Sequence, residues 1–380
     1  MALAVVCLFV LLYTYLGYPV LIALLARVRP LPVGRDPSFE PLVSVCIAVF
    51  NGARFIDAKL ESLLGQDWPA AKLEILVYSD GSSDETAARV RALSARYPNV
   101  RLLEGPGRRG KPTALNEMRN AARGEVLLIT DVRQPLTPGA VRALMERLAD
   151  PGVGCVSGNL VLVGQASSGA YWRYEKFIRQ NEARFRSLIG VSGSIVALRK
   201  EDLARLPEDL ILDDVWIPMR LRLAGRRILF AEEAQAFDEA FEDEREFGRK
   251  VRTLAGNYQL LARMPRLLVP FANPSWFETF SHRVLRLVCP WALLGLLGTT
   301  LWLLVRLADA APPSATPLWT LAWRTTPGIL LMGQAGFYLA ALLGRRLGRL
   351  GGLARTFMVM NAAAVAGLWR FVSGAQRITW

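Results

Sequence analysis

Residues 74–86 read EILVYSDGSSDET. An unbroken apolar run ends on an acid and a glycine and passes at once into polar residues that start helices. A half-exposed strand would alternate apolar and polar positions, so this run predicts a strand buried on both faces, followed by a turn and a helix. Similar runs recur on either side: LVSVCIAV at 42–49, VRLLE at 100–104, EVLLIT at 125–130, VGCVSG at 153–158 and ILFAE at 228–232. Amphipathic helical patterns separate them. The alternation predicts an α/β domain over residues 41–235, a doubly wound, mixed and mostly parallel sheet covered on both faces. Sheets of this kind bind ligands at the carboxyl ends of their strands, so the residues directly after each run carry the chemistry.

Asp80 follows the first run, where it either accepts hydrogen bonds from a base or ribose or serves as a turn residue. Ser82 and Glu85 have the spacing of a capping box, opening a helix that continues to Tyr97. Asp131 follows EVLLIT, and a carboxylate at the end of a buried strand is costly unless it is paired or metal-bound. Gly110 and Lys111 open a helix; Lys111 either meets a phosphate as a point charge or belongs to a solvated basic loop. In LILDDVWIPMRLRLAG, residues 210–225, Asp213 and Asp214 start an apolar helix. The helix dipole accounts for one acid there and leaves the other for general base work.

Composition adds a membrane. The 380 residues are 52% hydrophobic and only 21% charged, which excludes a disordered chain, and 46 Lys+Arg against 33 Asp+Glu give a net charge of +13. The basic residues are scattered and mostly Arg, without the aromatic-interleaved stripe of a nucleic-acid binder. Residues 1–26 carry no charged side chain, and residues 287–305 and 325–344 are further uncharged runs long enough to span a bilayer. The first lacks the basic start and small-residue cleavage site of a signal peptide. Arg27 and Arg29 follow the first run, and Arg345, Arg346, Arg349 and Arg355 follow the third, so the positive-inside rule puts the α/β domain in the cytoplasm of a multi-pass inner-membrane protein. Residues 236–283 form amphipathic, interfacial helices, and 356–372 form either an interfacial or a fourth crossing helix. Four widely spaced cysteines and a single His282 give neither a disulfide framework nor a multi-histidine metal site.

In this order the motifs resemble glycosyltransferase family 2, in the membrane-integrated branch of the cellulose, hyaluronan and chitin-oligosaccharide synthases. VSVCIAVFNGARFI (43–56) is similar to the family's opening strand and turn, with Asn51 in that turn. EILVYSDGSSDET resembles the uridine-binding segment, GRRGKPTALN (107–116) the Gly-Lys loop, and LILDDVWIPMRLRLAG the Glu-Asp helix, with Asp214 on the catalytic acid. Two motifs depart from the family. The Asp-X-Asp metal motif reads Asp131-Val132-Arg133, and Gln-X-X-Arg-Trp reads Arg249-Lys250-Val251-Arg252-Thr253.

The resemblance implies a GT-A-like fold and inverting transfer from a nucleotide sugar, a UDP sugar, to a glycan or lipid-linked acceptor in envelope or exopolysaccharide synthesis. It implies Asp214 as base and Mg²⁺ or Mn²⁺ on Asp131. Lys111 and Arg252 would meet the diphosphate, and Asn51, Asp80, Asp213 and Arg249 would also contact substrate. Arg133 either replaces part of the metal's charge or pairs with Glu125. Trp380 is either a gate over the donor or an interfacial anchor. A catalytically silent membrane scaffold that binds nucleotide sugars is the alternative.

Overall fold

The computed structural model describes residues 1–163, 169–239, 243–309 and 318–376. Seven strands form one sheet: β1 (Val43–Val49), β2 (Leu73–Ser79), β3 (Val100–Glu104), β4 (Val126–Thr130), β5 (Val153–Val163), β6 (Ile195–Arg199) and β7 (Arg227–Glu239), in the order β3-β2-β1-β4-β6-β5-β7. β1 runs parallel to β2 and β4, β3 to β2, and β5 to β7. Only β6 is reversed, pairing antiparallel with β4 and β5. Every residue of β1, β2 and β4 is buried, because alternate side chains feed two cores. Val45 and Ile47 enter the core on one face, and Cys46 and Leu127 the core on the other. All four cysteines are buried and free.

β6 is not expected from the sequence, since four apolar residues between Ser194 and Arg199 give too short a run to stand out. Helix α1 (Ala2–Val28) precedes the sheet. Within it, α2 (Ala53–Leu64), α3 (Thr86–Ser94), α4 (Lys111–Ala121), α5 (Ala140–Leu148), α6 (Gly169–Phe185) and α7 (Asp213–Leu223) connect the strands. The capping box does not form at α3, which also ends short of Tyr97. Asp84 does the capping instead: its carboxylate accepts the Thr86 N–H at 3.0 Å and the Ala53 N–H at 3.0 Å, serving two helix starts at once. Ser82 is taken by the Asn51 N–H, at 3.1 Å.

After the sheet come α8 (Asp243–Arg263), α9 (Leu285–Asp309), α10 (Leu318–Leu343) and α11 (Gly348–Val372). Three helical stretches, Ala2–Val28, Trp276–Leu307 and Thr325–Val372, are long and apolar enough to cross a membrane, and a turn at Gly344–Leu347 breaks the third. Each of the first two contains a π-helical segment, Tyr13–Gly17 and Thr279–Val284, and the Tyr13 hydroxyl meets the Ser281 hydroxyl at 2.9 Å between them.

The last helix does not stand apart from the α/β domain. Ala363 and Ala364 of α11 pack with Val251 and Leu254 of α8, and Phe357 meets the Tyr15 ring of α1 edge-on at 4.7 Å. Gly367 lets the two helices touch: a Cβ there would lie 2.9 Å from the Ala255 nitrogen and 3.1 Å from the Val251 oxygen. Both neighbours are backbone and cannot swing aside, and overpacking of this kind costs about 1–3 kcal/mol. Gly367→Leu is therefore expected to lower the thermal midpoint of the detergent-solubilised protein, while Gly298→Leu, where a Cβ meets nothing within 4 Å, leaves it in place. Equal midpoints for the two variants would contradict this contact.

Candidate active site

The carboxyl ends of β1, β2 and β4 open on one edge of the sheet. After β1, Asn51 adopts φ +51°, alone among the described non-glycine residues, a conformation asparagine tolerates better than most. Its side-chain oxygen accepts the Ser83 N–H at 2.9 Å, so the turn after β1 is tied to the turn after β2. Asp80, at the end of β2, is fully buried. One of its carboxylate oxygens accepts the Arg109 N–H at 2.8 Å and the other the Gly110 N–H at 2.7 Å. The carboxylate expected to face a base or ribose thus holds the Gly-Lys loop. Gly81 is required beside it, with φ +72° and the backbone of Gly107 only 2.8 Å from any added Cβ. The Arg108 guanidinium lies 4.0 Å over the Phe50 ring.

The loop delivers Lys111 to the centre of the site. Its ammonium donates to Asp131 at 2.8 Å and lies 3.3 Å from Asp213. Burial alone would lower the Lys111 pKa, but the Asp131 and Asp213 carboxylates outweigh it and raise it above the ordinary lysine value. Asp214 is close by: a Cβ on Gly193 would lie 3.8 Å from an oxygen of Asp131 and 3.8 Å from one of Asp214. The Asp214 Oδ1 is buried without a hydrogen-bond partner. Burial first, then the Asp213 charge, push its pKa up to about 6 against the pull of Lys111 and Arg283. A buried acceptor oxygen with a raised pKa beside an open cleft is what a general base needs.

Two residues behind the site follow no motif. Lys59 is fully buried and donates to the Thr130 hydroxyl and the Gln134 carbonyl, both at 2.6 Å, bracketing Asp131. Burial lowers its pKa to about 7, with the Asp131 charge opposing. The signal was present in sequence: Lys59 interrupts the apolar stripe Ile56, Leu60, Leu63 of α2. Arg133 does not pair with Glu125 as expected. It reaches Asp238 at 2.9 Å, and Gln134 reaches the other Asp238 oxygen at 2.7 Å, so the residue in the second acid position of the metal motif is tied to β7.

α8 carries the remaining basic residues on two faces. Gly256 packs against Leu212 and Ile211, just ahead of Asp213, and the Gln259 side chain accepts the Ile211 N–H at 3.0 Å. Arg252 lies one turn before Gly256 on this face, and its Nε is buried without a hydrogen-bond partner. Arg249 lies on the adjoining face, lining a cavity of about 410 Å³ with Thr253 and Asn257. That cavity also touches Val191 and Val215 on the far side of Asp214. Trp380 lies outside the described residues. The site therefore gathers Asn51, Asp80, Lys111, Asp131, Asp213 and Asp214 at one edge, with Arg252 on the helix packed beside it.

A mixed α/β sheet with acids and a lysine at its carboxyl edge, followed by apolar helices, defines a GT-A-like transferase fold. Residues 44–206 match the family Glycosyl transferase family 2, and the chain carries a domain of that family. Glycosyltransferase AglE of Haloferax volcanii is 28% identical over 196 residues, covering 50% of this chain and 64% of that protein. An N-acetylglucosaminyltransferase of Rhizobium meliloti is 28% identical over 175 residues, 44% of this chain and 41% of that one. The chain thus spans about half the length of the curated relatives it matches. The mannosyltransferase PcManGT of Pyrobaculum calidifontis, solved with GDP-mannose and Mn²⁺, superimposes with a TM-score of 0.74 at 24% identity, covering 98% of this chain and 100% of that one.

Replacing Lys59 with methionine would keep its bulk and remove both hydrogen bonds, leaving the Gln134 carbonyl buried without its donor. An unsatisfied buried group costs about 1–3 kcal/mol. Lys59→Met is expected to lower the urea midpoint accordingly, and an unchanged midpoint would show that the buried ammonium does not hold this loop.

Proposed function

We propose that the protein transfers a sugar, with inversion, from a nucleotide sugar to an acceptor hydroxyl. The observation that carries this reading is the orphan Asp214 Oδ1 beside the ion-paired Lys111 and Asp131. The donor enters the cleft bounded by Asn51, the loop held by Asp80, and Asp131. Lys111 and Arg252 are cations with N–H groups for the diphosphate, and the buried Nε of Arg252 lacks the acceptor a phosphate oxygen would supply. The acceptor approaches from the cavity side of Asp214. Asp214 takes the hydroxyl proton as the oxygen bonds to the anomeric carbon, and the bond to the diphosphate breaks on the opposite face. Charge then grows on the leaving group, where fixed cations stabilise it without reorganisation.

Asp131 fits a hard divalent cation: its side chain is 40% exposed at the cleft and offers a carboxylate oxygen. Among the described residues no three His, Cys, Asp or Glu side chains group into a ligand set, so the donor's own oxygens and water must complete the shell. Mg²⁺ or Mn²⁺ held there supplies positive charge to the departing diphosphate. The arginines after the first and third apolar runs favour a multi-pass protein of the cell membrane with its catalytic domain in the cytoplasm, building an envelope or exported glycan.

Purified protein tested against a panel of nucleotide sugars is expected to release nucleoside diphosphate from at least one of them; no turnover of any donor would count against the reading. Asp214→Asn should then lower the transfer rate by about 10²-fold or more, the usual scale of a general base, with donor binding retained and Asp213→Asn milder. Since Asp214 works ionised and its pKa is raised to about 6, the wild-type rate should fall as pH drops through about 6, where an ordinary aspartate would hold it level down to about 4. A loss of less than tenfold in Asp214→Asn would remove it as the base.

Excess chelator is expected to stop transfer, and added Mn²⁺ or Mg²⁺ to restore it. Full turnover in chelator would leave the leaving-group charge to Lys111 and Arg252 alone.

A further inference from the structure

The cavity beyond Asp214 is lined from two kinds of surface. Gly190, Val191 and Val215 belong to the wall around Asp214, whose carbonyl accepts the Val191 N–H at 2.9 Å. Tyr15 and Met360 come from α1 and α11, which belong to the stretches apolar enough to cross a membrane. Between them stand three arginines, Arg179 of α6 and Arg283 and Arg286 at the start of the α9 stretch.

Their hydrogen bonding is incomplete. The Arg179 guanidinium donates to the Ser157 hydroxyl at 3.1 Å, Arg283 to the Ile189 carbonyl at 2.9 Å and to Asn257, and Arg286 to Glu175 at 2.7 Å. Four further N–H groups, Arg179 Nε, Arg283 Nε and Arg286 Nε and Nη2, are buried with no partner among the described residues. Buried guanidinium donors without acceptors are expensive, and four around one cavity ask for an oxygen-rich anion. The neighbouring acids do not fill this need. Glu175 is engaged by Arg286 and lies 3.3 Å from His282; Glu182 is engaged by Tyr18 and His282, each at 2.6 Å; and Asp238 is engaged by Arg133 and Gln134. The one orphan acid oxygen on this wall is Glu182 Oε2. With Arg249 and Lys250, five basic side chains line the cavity against three acids.

We propose that this cavity binds an acceptor lipid through a phosphate group, with the arginines holding the phosphate and a free hydroxyl of the head group presented to Asp214. This rests on the glycosyl transfer proposed above and names its acceptor class. About 410 Å³ holds a head group, and the lipid chain leaves past Tyr15 and Met360 along α1 and α11. A water-soluble saccharide would use neither the guanidinium cluster nor that apolar wall, and diacylglycerol would leave the four donors unmet. The reaction consumes no lipid phosphate. The head-group oxygen bonds to the anomeric carbon, the nucleoside diphosphate departs with the electron pair, and Asp214 receives the proton. A glycerophospholipid with a hydroxylated head and a prenyl-diphosphate-linked sugar share this chemistry.

The test uses the full chain in maltoside detergent and measures binding and transfer separately. Dihexanoyl phosphatidylinositol and a short prenyl-diphosphate N-acetylglucosamine are titrated calorimetrically beside dihexanoylglycerol and a soluble oligosaccharide. At least one phosphate-bearing lipid is expected to bind ten times more tightly than either phosphate-free probe, and to carry label from a nucleotide sugar into the organic phase. Whichever of the two takes the label identifies the source. Arg286→Met should weaken that binding at least tenfold. Met360→Trp, which narrows the apolar side and alters no charged group, should do the same with the thermal midpoint preserved. Equal affinity for dihexanoylglycerol, or lipid binding unchanged in Met360→Trp, would overturn the proposal. Transfer to the soluble oligosaccharide without lipid binding would also overturn it while upholding glycosyl transfer. Tight, variant-sensitive lipid binding without turnover of any nucleotide sugar would uphold the lipid site and overturn the catalytic reading.

Discussion

The site is organised by one ammonium group. Lys111 stands at the start of α4, and the acids it holds stand at the end of β4 and the start of α7, more than eighty residues apart in sequence. A lysine this deeply buried is tolerated because two carboxylates meet it, and those carboxylates are tolerated at the sheet edge because it is there. Neither partner can be removed without stranding a charge. The arrangement also leaves Asp214 as the acid in this cluster with an oxygen unpartnered, so the same contact that stabilises the cleft singles out the group that can accept a proton.

Asp214 separates two differently built spaces. On the donor side, backbone geometry does most of the positioning: Asn51, Gly81 and Asp80 fix three turns to one another through main-chain groups. On the other side, long side chains from α6, α8 and α9 do the work, and their charges are only partly matched. A ligand that keeps a fixed diphosphate shape suits the first construction, and one with a variable head and a long apolar tail suits the second.

Sequence alone reaches the first construction and not the second. β1, β2 and β4 are legible because burial on both faces forces unbroken apolar runs, and the acids that matter follow those runs directly. β6 is missed because a reversed strand of five residues leaves no such run, and the double cap by Asp84 is missed because the nearer capping-box pattern has the same local spacing. The Arg133–Asp238 pair joins positions 105 apart in the chain, and Lys59 shows itself only as a charge out of place on a helical stripe. The arginine cluster is invisible to motif reading, because Arg179 and Arg286 come together only when α6 packs beneath the membrane-facing helices.

The two π-helical segments have a history written into their geometry. A π turn holds one residue more than the α turn it replaces, so each amounts to a single-residue insertion absorbed without breaking the helix. Everything after such a point is rotated by about 100° relative to an uninterrupted helix. In α1 this resets the face that carries Tyr18 towards Glu182, and ahead of α9 it sets the faces of Arg283 and Arg286. The register of two helices that otherwise read as plain apolar spans is therefore set to the residue, and relatives that differ by one residue at either segment would turn a different side chain into the cavity while keeping the same hydropathy.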